Sequence, residues 1–236
     1  MRWTAAPGPA PVPDAGPGCE PVRDGLLAEP VSAVTSLAFV VAAALIVLLA
    51  RRSARRSASD DTQRPPGPVT GYALLVAGIG VGSVIQHGPD PPGADLAHDL
   101  PLVATLAFVA ADSFADLARR PRTWWWWAVP SLALVPLILA APLVADGVQV
   151  AVATVAVGLT LLRAARRPAT RVRVLAAVAV LAVGATIGTL SRAGGPLCVP
   201  ESIWQGHAAW HVLASTALVV LAPVLGLSPS RDSDRR

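Results

Sequence analysis

Apolar runs of about twenty residues recur from residue 31 to the end of the chain, broken by short polar stretches. A transmembrane helix needs about 20 mainly apolar residues. On that rule the runs predict spans near 31–50, 70–88, 99–118, 124–142, 144–163, 172–191 and 204–226. Residues 1–30 are rich in Pro and Gly and cannot form a long helix. They have one early Arg and no apolar core, so they do not read as a cleaved signal peptide. The residues after Leu227 are few and polar. The pattern predicts an all-α integral membrane protein of seven helices over 31–227, with an N-terminal segment 1–30 and a disordered tail 228–236.

Composition sharpens this reading. Of 236 residues, 53% are hydrophobic and 14% charged, against about 25% charged in a soluble domain. All 19 basic residues are Arg and the net charge is +4. That balance could suggest nucleic acid, but the Arg sit in clusters between apolar runs. Arg51, Arg52, Arg55, Arg56 and Arg64 follow the first span, Arg119, Arg120 and Arg122 the third, and Arg163, Arg166, Arg167, Arg171 and Arg173 join the fifth to the sixth. Arg231, Arg235 and Arg236 close the chain, whereas the alternate loops carry only Arg192. Basic loops stay cytoplasmic, so the N-terminus is expected outside and the C-terminus in the cytoplasm. Membrane lipid, not nucleic acid, is then the expected partner.

Orientation gathers the chemistry. His207 and His211 are four residues apart and so share one helix face, a spacing that lets two imidazoles grip one metal ion. His87 ends the second span, with Ser83 one turn before it, and His98 and Asp99 open the third. All four His of the chain fall at the outer ends of their spans. Three His and an open position are the ligand count of a catalytic zinc site, which lowers the pKa of a bound water to about 7. A carboxylate could serve such a site as general base, and the Ser hydroxyl could orient the water or donate to an oxyanion. Haem between facing His, or a metal-free proton relay, are alternatives that leave a His and the Asp unused.

Other features have plainer expectations. Trp124 to Trp127 follow an Arg cluster and read as an interfacial anchor. Gly78, Gly80 and Gly82 lie inside a span and read as close helix packing. Asp112 lies within the third span, and either a partner on a neighbouring helix or a polar cavity would suit it. Cys19 and Cys198 are too few for a disulfide framework, and both fall on the outer side, where oxidation is permitted.

The order Ser83-x-x-x-His87, then Asp99-Leu100-Pro101, then His207-x-x-Trp210-His211 resembles the alkaline ceramidases. These belong to a superfamily of seven-helix membrane hydrolases that also holds GPI-lipid remodelling enzymes and the adiponectin/progestin receptors. The resemblance implies Zn²⁺ on His87, His207 and His211, with Ser83 and Asp99 as the catalytic groups beside it. The implied reaction is hydrolysis of a ceramide-like amide, giving a fatty acid and a sphingoid base. It also implies a Cys19–Cys198 disulfide and, through Cys19-Glu20 and Glu29-Pro30, Ca²⁺ held by Glu20 and Glu29. Two departures stand. Alignment on Leu-Pro sets His98 where the family has its acid, leaving Asp99 first choice and Asp95 second. Ser32 stands where the calcium site would have Asn. A receptor-like protein with a structural metal, or an ester-lipid hydrolase, are the alternatives to the amidase.

Overall fold

The computed structural model describes residues 16, 18–57 and 67–225. The tail 228–236, Arg64 and most of the segment 1–30 lie outside the described residues. All regular structure among the described residues is helical: α1 (Pro30–Ser57), α2 (Gly67–His87), α3 (Ala94–Leu117), α4 (Trp125–Ala133), α5 (Val135–Ala140), α6 (Pro142–Arg166), α7 (Pro168–Leu190) and α8 (Gly206–Leu221), followed by a 3₁₀ turn at Ala222–Val224. Six of these helices are long and apolar enough to cross a membrane.

The predicted span 124–142 differs. It is a pair of short helices, α4 and α5, which together cover Trp125–Ala140 and meet at Leu134. Proline explains the break. Pro130 sits inside α4 and Pro136 in the first turn of α5, and neither has an N–H to give to the preceding turn. At a helix start that N–H would lack a partner anyway, so Pro136 suits a fresh helix better than the middle of an old one.

Pro101 also lies inside a helix, α3, which nevertheless continues to Leu117. It cannot donate to the carbonyl of Ala97. That carbonyl faces α2 at Gly82, where a Cβ would lie 1.9 Å from the Ala97 oxygen. Gly78 packs on the Pro101 ring and Gly80 on Ser36, Phe39 and Val40 of α1. The glycine run of α2 thus lets two helices close in from different sides, as small residues do in membrane bundles. Gly184 and Gly188 of α7 play the same part against Trp210 and Leu213 of α8. Around this frame α1 lies between α2 and α8, while α3 lies between α2 and α6.

The end of the bundle far from the His residues is tied by charge. Asp112 pairs with Arg163 at 2.7 Å and with Arg122, and Asp116 pairs with Arg167 at 3.1 Å and Arg163 at 3.4 Å. Arg163 is 1% exposed and also donates to the Val224 carbonyl at 2.9 Å. Asp112 therefore has partners on α6 and on the α3–α4 turn. Arg163, read from sequence as a loop charge, is a buried cross-brace. Of the four tryptophans, Trp124 and Trp125 are exposed, while Trp126 and Trp127 pack on Phe114 and Phe108 of α3.

Candidate metal centre

The segment ahead of α1 folds back over the ends of α2 and α8. Cys19 is bonded to Cys198, which fixes this segment to the loop between α7 and α8. Glu29 N–H donates to the His87 carbonyl at 2.8 Å, and Ala28 N–H to that of Gly88 at 3.0 Å. Glu20 is buried and takes the N–H groups of Val31 and Ser32 and the Ser32 hydroxyl, at 2.7 to 2.8 Å. A carboxylate there satisfies orphan donors at the positive end of the helix. Gly18 lies against His207, where a Cβ would come within 3.1 Å of the side chain.

Beneath this cover, His87 from the last turn of α2 meets His207 and His211 from the first turns of α8. One nitrogen from each lies within 4.8 Å of the other two. His207 Nε2 is 3.2 Å from His87 Nε2. Two nitrogens bound to one tetrahedral zinc at about 2.05 Å would stand about 3.4 Å apart.

The outer nitrogens fix the tautomers. His87 Nδ1 faces the Glu29 carboxylate, an acceptor, so it carries the hydrogen. Thr35 Oγ1 lies 3.2 Å from His211 Nδ1 but has its own hydrogen directed to the Val31 carbonyl at 2.8 Å. Ser36 spends its hydrogen on the Ser32 carbonyl at 2.7 Å. Both hydroxyls therefore turn lone pairs towards His211 Nδ1, which is the protonated nitrogen. His87 and His211 in this neutral form both present bare Nε2 lone pairs inwards. His211 Nε2 is buried with no hydrogen-bond partner among the described residues. A proton shared between His87 and His207 would leave that third nitrogen unmet, whereas a single cation satisfies all three. The donor set thus fits a divalent metal with borderline preference for nitrogen.

Glu29, expected from the family likeness as a calcium ligand, here orients a histidine through its ring N–H, the usual outer partner of a metal-bound imidazole. Glu29→Gln should keep the helices intact and weaken metal retention about 10–100-fold, measured by competition with a chelator. Unchanged retention would show that the carboxylate does not tune His87. Both oxygens of Glu20 are engaged at the α1 N-terminus, whereas Glu29 Oε1 is buried with no hydrogen-bond partner among the described residues.

Ser83 is fully buried one turn before His87, with its oxygen 2.7 Å from Ser36 Oγ. Because Ser36 donates elsewhere, the Ser83 hydrogen points to Ser36. Asp99 is buried and accepts from His98 Nδ1 at 2.8 Å, whereas Asp95 is exposed and bonded to Gln86. The crossing at Gly82 brings Ala97 and His98 alongside the residue before Ser83. Among the described residues the Asp99 carboxylate makes no bond to Ser83 or to the three His.

Sequence reasoning missed Thr35 and Ser36, and weighed Ser32 only as a departure from the calcium motif. Their signal was present: three hydroxyls at i, i+3 and i+4 share one face of an otherwise apolar span, and that face is the one turned to Glu20 and His211. No protein-family profile matches this chain, and no curated protein matches its sequence.

Proposed function

We propose that this protein is a membrane-embedded zinc-dependent hydrolase that cleaves the amide bond of a ceramide-like N-acyl lipid, releasing a fatty acid and an amine base. The reading rests on the three converging imidazoles, with His211 Nε2 buried and unpartnered. The likeness of the Ser83/His87, Asp99-Leu100-Pro101 and His207/Trp210/His211 motifs to the alkaline ceramidases supplies the substrate class. The alternating Arg loops favour placing this end of the bundle outside the cell.

His87, His207 and His211 would hold the ion. Zinc in such a site supplies Lewis acidity, polarising the amide carbonyl and lowering the pKa of water. Asp99, kept in place by His98, takes the proton from the attacking water and passes it to the leaving amine. Ser83 has its hydrogen turned to Ser36, so at rest it offers a lone pair that can orient the water. Donation to an oxyanion requires the hydroxyl to rotate. Gly18 lies against His207 and is held there by the neighbouring Cys19–Cys198 bond, a cover that would limit water at the triad and strengthen each of these interactions.

The test is fatty-acid release from fluorescent N-acyl lipids presented in vesicles, with the ester analogue in parallel and metal content measured on the same preparation. Amide cleavage that a chelator abolishes and zinc restores supports the reading. Inactivity of zinc-loaded wild type towards every amide lipid overturns it. Asp99→Asn should keep the metal yet lose turnover by about 10²-fold or more, while Asp95→Asn, on the exposed face, should behave as wild type. The opposite pair of results would move the base to Asp95.

A further inference from the structure

The metal centre makes no use of the Trp run, the Arg turn before it or the broken fourth span. These meet in one place. α4 packs on α3 and makes little contact with α6, which leaves a groove of about 590 Å³ between the three helices. That volume is in the range of ligand clefts, roughly 300–1,000 Å³. Its walls include Ala107, Ala111 and Phe114 of α3, Trp126 of α4, and Val155 and Leu159 of α6. Ser131 brings the one hydroxyl among the described lining residues, and its hydrogen is committed to the Trp127 carbonyl at 2.7 Å. The groove therefore offers its occupant an apolar wall with no hydroxyl donor to spare. Val155, Val129 and Trp125 on its rim are more than half exposed, so it opens sideways onto the lipid-facing surface.

The charge at one end makes the occupant more specific. Phe114 and Trp126 pack together there, and the turn between them carries Arg119, Arg120 and Arg122. Asp112 and Asp116 are buried and bound by Arg122, Arg163 and Arg167. Arg120 and Arg166, beyond the end of the Leu159 wall, are exposed and make no ion pair among the described residues. Exposed guanidinium groups at a tryptophan belt, beside an apolar groove between membrane helices, suit an acidic phospholipid. We propose that this groove binds one acyl chain of an anionic phospholipid from the leaflet opposite the His triad, with its phosphate against Arg120 and Arg166. This binding is independent of the catalytic reading above.

The test offers the detergent-purified full chain equal amounts of phosphatidylglycerol and phosphatidylcholine with identical acyl chains, and weighs the adducts by native mass spectrometry. The expected result is one tightly held phosphatidylglycerol, preferred about tenfold. Arg120→Gln with Arg166→Gln should erase the preference while chain binding persists. Ala107→Phe, which fills the groove, should reduce binding of both lipids. Val155→Trp, at an exposed position where folding is little affected, should do the same. His207→Ala should leave lipid binding as in wild type, which separates this groove from the proposed hydrolytic site. Equal retention of the two lipids, adducts that survive both groove-filling variants, or loss of binding in His207→Ala would each overturn the proposal. So would groove-filling variants that dissociate a dimer without changing lipid adducts, since the groove would then belong to a second copy.

Discussion

His211→Ala should leave the purified protein with under about a tenth of the zinc that wild type retains, and with no measurable hydrolysis. Of the three imidazoles it is the most deeply enclosed, at 2% exposure, and the one whose inner nitrogen has no other partner. Alanine removes that lone pair and leaves two ligands, His87 and His207, for an ion that wants four. Thr35→Val provides the graded comparison. It removes the nearer of the two hydroxyls beside His211 Nδ1 but leaves Ser36 and the ring, so affinity should fall, by at most about 10–100-fold, without being abolished. Metal content by plasma mass spectrometry and helicity by circular dichroism separate ligand loss from unfolding. Wild-type zinc content in a folded His211→Ala protein would remove the basis of the hydrolase reading.

Asp112→Asn should be the most destabilising conservative change in the membrane domain. The cluster holds two carboxylates, Asp112 and Asp116, against three guanidinium groups, Arg122, Arg163 and Arg167, a net of +1. Asn raises that to +2 in a site where Asp112 and Arg163 are 3% and 1% exposed. Removing one partner of a buried pair costs about 3–5 kcal/mol, chiefly because the other charge is stranded. In detergent this corresponds to a fall in the melting midpoint of about 10 °C. Adding Arg163→Met returns the net to +1 and should recover part of the loss. If the double variant is less stable than Asp112→Asn alone, Arg163 acts through its bond to the Val224 carbonyl and its packing more than through its charge.

Much of the helical plan could be read from the sequence, because the length of an apolar run is a direct consequence of bilayer thickness. The gathering of His87, His207 and His211 could be read too, once loop charges had set the ends of the spans on opposite sides. Boundaries were less legible. α1 runs on to Ser57 and α3 starts at Ala94, since charged residues propagate a helix readily outside the hydrocarbon. The use of each acid was also hidden. Glu20 and Glu29 are both polar residues ahead of a span. Only the fold-back secured by Cys19 and Cys198 makes one a helix cap and the other the partner of His87. The Arg163 brace was masked for a related reason, because an arginine at a span end looks like an interfacial charge until a neighbouring helix presents two aspartates.

The halved fourth span has a consequence for the surrounding lipid. Trp125–Ala140 holds 16 residues, about 24 Å of helix at 1.5 Å per residue, against about 30 Å of hydrocarbon. The 28 residues of α1, on the far side of α2, face no such shortfall. Were α4 and α5 to cross the bilayer, as the apolar run predicts, the mismatch would have to be met by local thinning, by snorkelling end residues or by a second copy, at a cost of a fraction of a kcal/mol for each ångström. A short flank of this kind would favour thinner membranes and shorter-chained lipids beside it.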